Sequence, residues 1–250
     1  MGFLSYIKEK GRQFGNWIKR TAEDVKEAWN EIKQAGREIC DTVKEHYQEW
    51  RARRNDRHRK AHIKEHYHNY KPSEPDQKVA QEVINHLDNE FPRGIAETLI
   101  EMTGSQRVDA FEEMVKRGQE IMDIEVNQTV FFKPDESSQN ICGYYDRKNN
   151  TLCLNEYMVT TDHPELIREQ VYTIFHELVH ARQWAAVTGK KDYGYSSDQL
   201  LEWANNFANY VPSNVSDEDY RKQPLERDAF GFEAIIKGEV TIEEFINANQ

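Results

Sequence analysis

No stretch of the 250-residue chain approaches the roughly 18–20 apolar residues that a bilayer span requires, which excludes a transmembrane helix. The N-terminus has no basic segment followed by an apolar run of roughly seven or more residues, so no secretory leader is expected and the cytoplasm is the expected compartment. Cysteine is scarce. Three residues give no disulfide framework, and none stands in a CxxC pair that would suggest a cysteine-based metal site. Apolar residues are few (38%) beside charged ones (31%), which implies a modest core and much solvated helix. Histidine is absent after His180, and that absence constrains any metal site built around it.

Charge divides the chain. Residues 1–71 hold 17 Lys/Arg against 11 Asp/Glu, whereas the remainder holds 16 against 33. Two prolines interrupt helix in Lys71-Pro72-Ser73-Glu74-Pro75. The expected organisation is therefore a basic helical arm over residues 1–70, a linker over 71–75 and a folded domain over 76–250. Within the arm, apolar residues and glycines step by three or four from Phe3 and Ile7 to Tyr47 and Trp50, about 3.6 residues per turn. Phe3, Phe14, Val25, Gly36 and Tyr47 also recur every eleven residues, a period that keeps the stripe on one side of a straight helix and disfavours a heptad coiled coil. Such a stripe fits an anionic membrane surface, with Lys8, Lys10, Arg12, Lys19 and Arg20 near the lipid; it equally fits a helical partner or the chain's own domain. Gly11, Gly15 and Gly36 weaken the isolated helix, so it needs one of these surfaces.

Positive charge is densest between Arg51 and Lys64, but few aromatics are interleaved and the whole chain is acidic, so a solvated helix is expected there rather than a nucleic-acid site. His58, His62 and His66 fall four apart without a carboxylate or cysteine at a matching position, and no metal site is expected from them.

The most informative segment is His176-Glu177-Leu178-Val179-His180, inside a predicted helix from Pro164 to about Thr188. Residues four apart on a helix stand one above the other, so the two imidazoles can share one metal ion. The intervening glutamate is placed to act on a metal-bound water instead of binding the metal. Val171, Ile174, Leu178, Ala181 and Ala185 form an apolar stripe, with His176, Glu177 and His180 largely off it. A hydrolytic zinc site needs a third protein ligand and one open position. With no histidine downstream, that ligand is expected among Glu202, Asp217, Glu218, Asp219, Glu226, Asp228 and Glu233. Glu226 is favoured because Pro224 can open a helix whose first turn contains it, and the apolar run from Ala229 to Ile236 would dock that helix on a core.

Two segments, Phe175-His176-Glu177-Leu178-Val179-His180-Ala181-Arg182-Gln183 and Tyr220-Arg221-Lys222-Gln223-Pro224-Leu225-Glu226-Arg227-Asp228-Ala229, resemble the compact gluzincin-type metallopeptidases. These include the ImmA/IrrE-like and other small zincin domains of bacteria, phages and mobile elements. The likeness covers roughly residues 120 to 237. It implies zinc held by His176, His180 and the glutamate of a Pro-x-Glu-x-x-Ala context, here Glu226, with Glu177 as general base and a protein or peptide as substrate. It also implies a strand upstream of the motif helix that lines the cleft and pairs with the substrate backbone. Tyr220, just upstream of Glu226, is the leading candidate for an oxyanion-stabilising residue, with Tyr193 and Tyr195 close behind.

Between linker and motif, apolar spacing predicts helices ending near Pro92, stopped by Gly104 and beginning at Ser105, with Gly118 weakening the end of the last. Residues 125–132 read as a strand. With a hairpin over 140–155 they would make a small three-stranded antiparallel sheet. The hairpin's expected loop, Asp146–Asn149, sets Cys142 opposite Cys153, two thiols expected to stay reduced. Residues 140–143 and 152–155 are the candidate substrate-facing edges. The sequence thus predicts an α+β zincin-like domain, with a small antiparallel sheet, an active-site helix and C-terminal helices, behind a long amphipathic arm. The predicted activity is zinc-dependent peptide hydrolysis. The alternatives are a non-catalytic binding or structural protein on the same scaffold, acting through its arm, and a hydrolase of non-peptide amides.

Overall fold

The structure, a computed structural model, describes residues 10, 12, 34, 48 and 51–250 apart from 136, 137, 139, 140 and 214. The stripe over residues 1–50 thus lies almost wholly outside the described residues, as does Asn140. The chain divides into Met1–Arg59 and Lys60–Gln250, and the second unit carries the motif.

That unit begins earlier than the prolines suggest. Residues 51–66 are helical, and Ile63, Tyr67 and Tyr70 are buried in the main core. The Tyr67 and Tyr70 rings pack edge-on against Phe245, and the Asn249 amide donates to the Tyr70 carbonyl at 2.8 Å. Residues 71–75 are therefore a turn within the fold, where Ser73 caps the next helix. The elements then run α1 (Glu74–Glu90), α2 (Ile95–Leu99), α3 (Gly104–Met122), β1 (Gln128–Phe132), β2 (Gly143–Asp146), β3 (Thr151–Asn155), α4 (Glu156–Thr160), α5 (Pro164–Val187), α6 (Ser197–Ala208), α7 (Asp217–Lys222), α8 (Pro224–Ile236) and α9 (Ile242–Ala248). The architecture is α+β. Among the described residues no helix is long and apolar enough to cross a membrane.

The sheet differs from the antiparallel expectation. Its order is β1-β3-β2, with β1 parallel to β3 and β2 antiparallel to it. All five residues of β3 are buried, so this strand needs cover on both edges and both faces; β1 and β2 are only partly buried and serve as edges. Residues 152–155 are therefore no substrate-facing edge. The hairpin register also shifts by two residues. Asp146 pairs with Thr151, and Cys153 faces Tyr144 instead of Cys142. The cause is the turn: the Asp146 carboxylate accepts the backbone N–H of Lys148 and of Asn149, and Asn150 takes a left-handed φ of 51°. Both cysteines are free.

Helix α5 is the centre of the unit and packs against α2, α3, α8 and β2. Every residue from Thr173 to Gln183 is buried, so the helix is covered on all sides and not only along its apolar stripe. Two glycines permit the close approaches around it. Gly118 of α3 packs on Leu178 and Phe175; a Cβ at Gly231 of α8 would overlap the rigid, buried Tyr70 ring. Gly231→Ala should therefore destabilise the protein. The helix-propensity gain of about 1 kcal/mol is outweighed by overpacking at the upper end of the ~1–3 kcal/mol range, since the Cβ would lie well inside contact distance of the ring, leaving a net loss of about 2 kcal/mol in urea unfolding. An increase in stability would mean that Tyr70 does not sit on α8.

Candidate metal centre

Helices α5 and α8 together build one site. On α5, the four-residue spacing stacks His176 above His180, ring centroids 5.0 Å apart. On α8, Pro224 occupies the first turn and places Glu226 beside both rings. Glu226 Oε2 lies 3.3 Å from His176 Nε2, and Oε1 lies 3.3 Å from His180 Nε2. Among the described residues these three form the one His/Cys/Asp/Glu group able to hold a metal, with donor atoms all within 4.8 Å of one another. His58, His62 and His66 form no such group; the His62 and His66 rings simply stack.

The imidazoles are oriented from behind. His176 Nδ1 donates to Glu233 Oε2 at 2.7 Å. His180 Nδ1 faces Gln183 Oε1 at 2.9 Å, while the Gln183 amide nitrogen donates to the Leu225 carbonyl. Both Nε2 atoms are thereby left to face Glu226, the arrangement a metal ligand requires. Each imidazole Nε2 lies 3.3 Å from its own Glu226 oxygen, and all the donor atoms lie within 4.8 Å of one another; two imidazole nitrogens and a carboxylate are a donor set that suits zinc.

Electrostatics agree with that fit. Burial opposes charge on all three groups. Even so, His180 and His176 hold the Glu226 carboxyl well below the usual range, and Glu226 and Glu233 raise His176 well above its own. Glu226 is 1% exposed, so this buried anion is balanced either by imidazolium protons or by a cation that displaces them. Glu233 is held down at about 2, burial being outweighed by the His176 bond and by Lys237.

Glu177 points into the same space without joining the cluster. Burial raises its carboxyl, the two histidines oppose the rise, and the backbone N–H of Tyr145 donates to it. It lines a cleft of about 520 Å³ with His180, Glu226, Tyr210, Tyr220 and the strand β2 with its turn, Gly143–Lys148. Because the Cys142 carbonyl accepts the Asn155 N–H, antiparallel alternation turns the main-chain groups of Gly143 and Tyr145 toward the free edge.

Of the tyrosines named from sequence, Tyr220 lines the cleft beside Glu226. Tyr193 and Tyr195 do not: their hydroxyls donate to the Asp123 carbonyl and to Asp76, and Arg182 ties them to the core. The other acids are engaged elsewhere. Glu202 and Asp228 pair with Arg227, Asp217 pairs with Arg221 and Glu218 pairs with Lys222, while Asp219 sits in the exposed first turn of α7. Sequence reasoning missed Tyr210, whose hydroxyl donates to Glu226 Oε1 at 2.6 Å. Burial and the Glu226 charge raise both Tyr210 and Tyr220, so both remain O–H donors at neutral pH. A smaller cavity of about 220 Å³ borders Glu233 and Phe230, but its cations Arg221, Arg227 and Lys237 all have carboxylate partners.

Comparison with family models, with curated proteins and with solved structures returns no match.

Proposed function

We propose that the chain is a zinc-dependent metallopeptidase whose second unit is a zincin-like domain. One observation carries the reading: His176 Nε2, His180 Nε2 and the Glu226 carboxylate converge at one point of an open cleft, with a buried, non-ligating Glu177 beside them. His176, His180 and Glu226 would hold the ion. Bound there, zinc supplies Lewis acidity, polarising a carbonyl and bringing the pKa of a water toward neutrality.

The protein's own groups supply the rest. Glu177, its carboxyl raised by burial, takes a proton from the attacking water and passes it to the amide nitrogen as the C–N bond breaks. Tyr220 presents a phenolic O–H at the cleft, suited to the negative charge that develops on the carbonyl oxygen, while Tyr210 gives its own O–H to Glu226. The free edge of β2 offers the main-chain groups of Gly143 and the Tyr145 carbonyl to an extended peptide. Glu233 and Gln183 keep the imidazoles aligned.

The purified full chain should contain about one zinc per molecule, as a three-ligand hydrolytic site predicts. It should cleave a complex peptide mixture, lose that activity to a chelator and recover it on zinc addition. Metal analysis with mass spectrometry of the products checks this; cleavage indifferent to chelation, or no metal uptake, defeats the proposal.

A further inference from the structure

The cleft's rim carries a cation that the chemistry above does not use. Arg147 opens the β2–β3 turn and lines the cleft with Lys148. Its guanidinium is fixed: Nη1 donates to the Phe207 carbonyl at 2.7 Å, and Cζ lies 5.5 Å from the centroids of both the Trp184 and the Phe207 rings. Trp184 is four residues beyond His180 on α5, one turn along the same face. The Trp184 backbone is thus about one helical turn, ~6 Å of rise, beyond His180, and Arg147 shares the cleft lining with His180 and Glu226.

Arg93, Arg117, Arg221 and Arg227 each lie against a carboxylate. Arg147 has no carboxylate partner among the described residues; its contacts are a carbonyl and two ring faces. Arg182 shares these surroundings, a carbonyl and two ring faces, but is buried and away from the cleft, whereas Arg147 is exposed and lines it. The neighbouring acid, Asp146, spends its carboxylate on the turn's own N–H groups and on the Asn149 amide. This happens in a unit, Lys60–Gln250, with 19 Lys/Arg against 34 Asp/Glu, where carboxylates are abundant. A guanidinium carries five N–H donors in a planar fork suited to a carboxylate; with one given to the Phe207 carbonyl, four remain, and ring stacking leaves their edge available.

We infer that Arg147, with Lys148 beside it, is the specificity-determining cation of the cleft, and that the substrate peptide carries a carboxylate within a few residues of the cleaved bond. The inference rests on the metallopeptidase reading and narrows its substrate class. The carboxylate is either an Asp/Glu side chain or the terminus of the chain being cut. The planar fork reads the same group from either source.

The test uses zinc-loaded full-length protein and four matched peptides, with Glu or Gln at the contact position and a free or amidated C-terminus. The wild type should prefer one carboxylate-bearing series about tenfold in kcat/KM, the size of one well-formed ion pair in a cleft. The preference should fall as salt rises. Dependence on Glu identifies the side chain, and dependence on the free terminus identifies the terminal carboxylate. Arg147→Gln should erase the preference, and Arg147→Glu should invert it toward Lys- or Arg-bearing peptides. Arg147 is exposed at the turn, so these variants are read through ratios, not through folding. Binding of the same peptides to Glu177→Gln, followed by fluorescence anisotropy, provides a readout independent of turnover. Cleavage without any carboxylate preference, or a preference that survives Arg147→Glu, overturns the inference and leaves the peptidase intact. Arg147-dependent peptide binding with no hydrolysis by the wild type keeps the recognition and overturns the peptidase reading instead.

Discussion

Glu177→Gln is expected to retain zinc at wild-type stoichiometry and to lose peptide hydrolysis by about a hundred- to ten-thousand-fold, the range for removing a general base. The substitution preserves shape. Glu177 is not among the three converging donors, and burial already disfavours its charge, so a neutral amide is tolerated. The Tyr145 N–H bonds to it, and a glutamine carbonyl can accept the same N–H. Zinc analysis and peptide kinetics on one preparation check both halves. Unimpaired hydrolysis would remove Glu177 from the chemistry, and loss of zinc would make it a ligand. A binding protein on this scaffold, the reading in which residues 1–50 do the work, is distinguished by the same variant: its biological activity should not change.

The second large effect is expected at Glu226. Glu226→Ala removes the only anionic donor and leaves two imidazoles facing an empty space, so zinc should fall below about a tenth of an equivalent where the wild type is saturated, and hydrolysis with it. Glu226→Gln separates charge from volume and should show the same loss in weaker form. Glu233→Gln should behave differently. It keeps all three donors and removes only the carboxylate behind His176, so zinc affinity should fall by about 10–100-fold while saturating zinc restores activity. Competitive zinc titration with a chromophoric chelator checks this order. Full zinc retention in Glu226→Ala would mean that another carboxylate is the ligand.

Much of this site was readable from local spacing, because its parts are local. The i, i+4 histidines and the proline that starts the Glu226 helix depend on nothing beyond helix geometry. Two further residues follow the same rule: Gln183, unnoticed, is three residues past His180, and Glu233, read only as a candidate ligand, is seven past Glu226 on the same face of its helix. Tyr210 could not be read this way. It sits in the irregular segment between α6 and α7, with no periodicity to assign it a direction. The fold was less legible where contacts are distant in sequence. Parallel pairing of β1 with β3 depends on which strand ends up enclosed, which no window of a few residues contains. Tyr67 and Tyr70 looked like the end of a charged arm because their core partner, Phe245, lies about 175 residues away. The stripe on α5 suggested one buried face; the opposite face is covered by α8 and by β2, elements whose approach the stripe does not encode.

The burial of Thr173–Gln183 has a kinetic consequence. Segments enclosed on every side exchange their amide hydrogens only through large openings, whereas turns and exposed rims fluctuate freely. Two of the three donors belong to the first kind of segment, and the third is on a helix packed directly against it. The donors cannot separate unless much of the unit opens. A cation held there would thus keep its three donors together through local fluctuations and leave only by the cleft that His180 and Glu226 line. The Arg147 turn, by contrast, is exposed and can vary in sequence without touching the donors. On the proposed reading, hold on the metal and choice of substrate would rest on separate parts of the molecule.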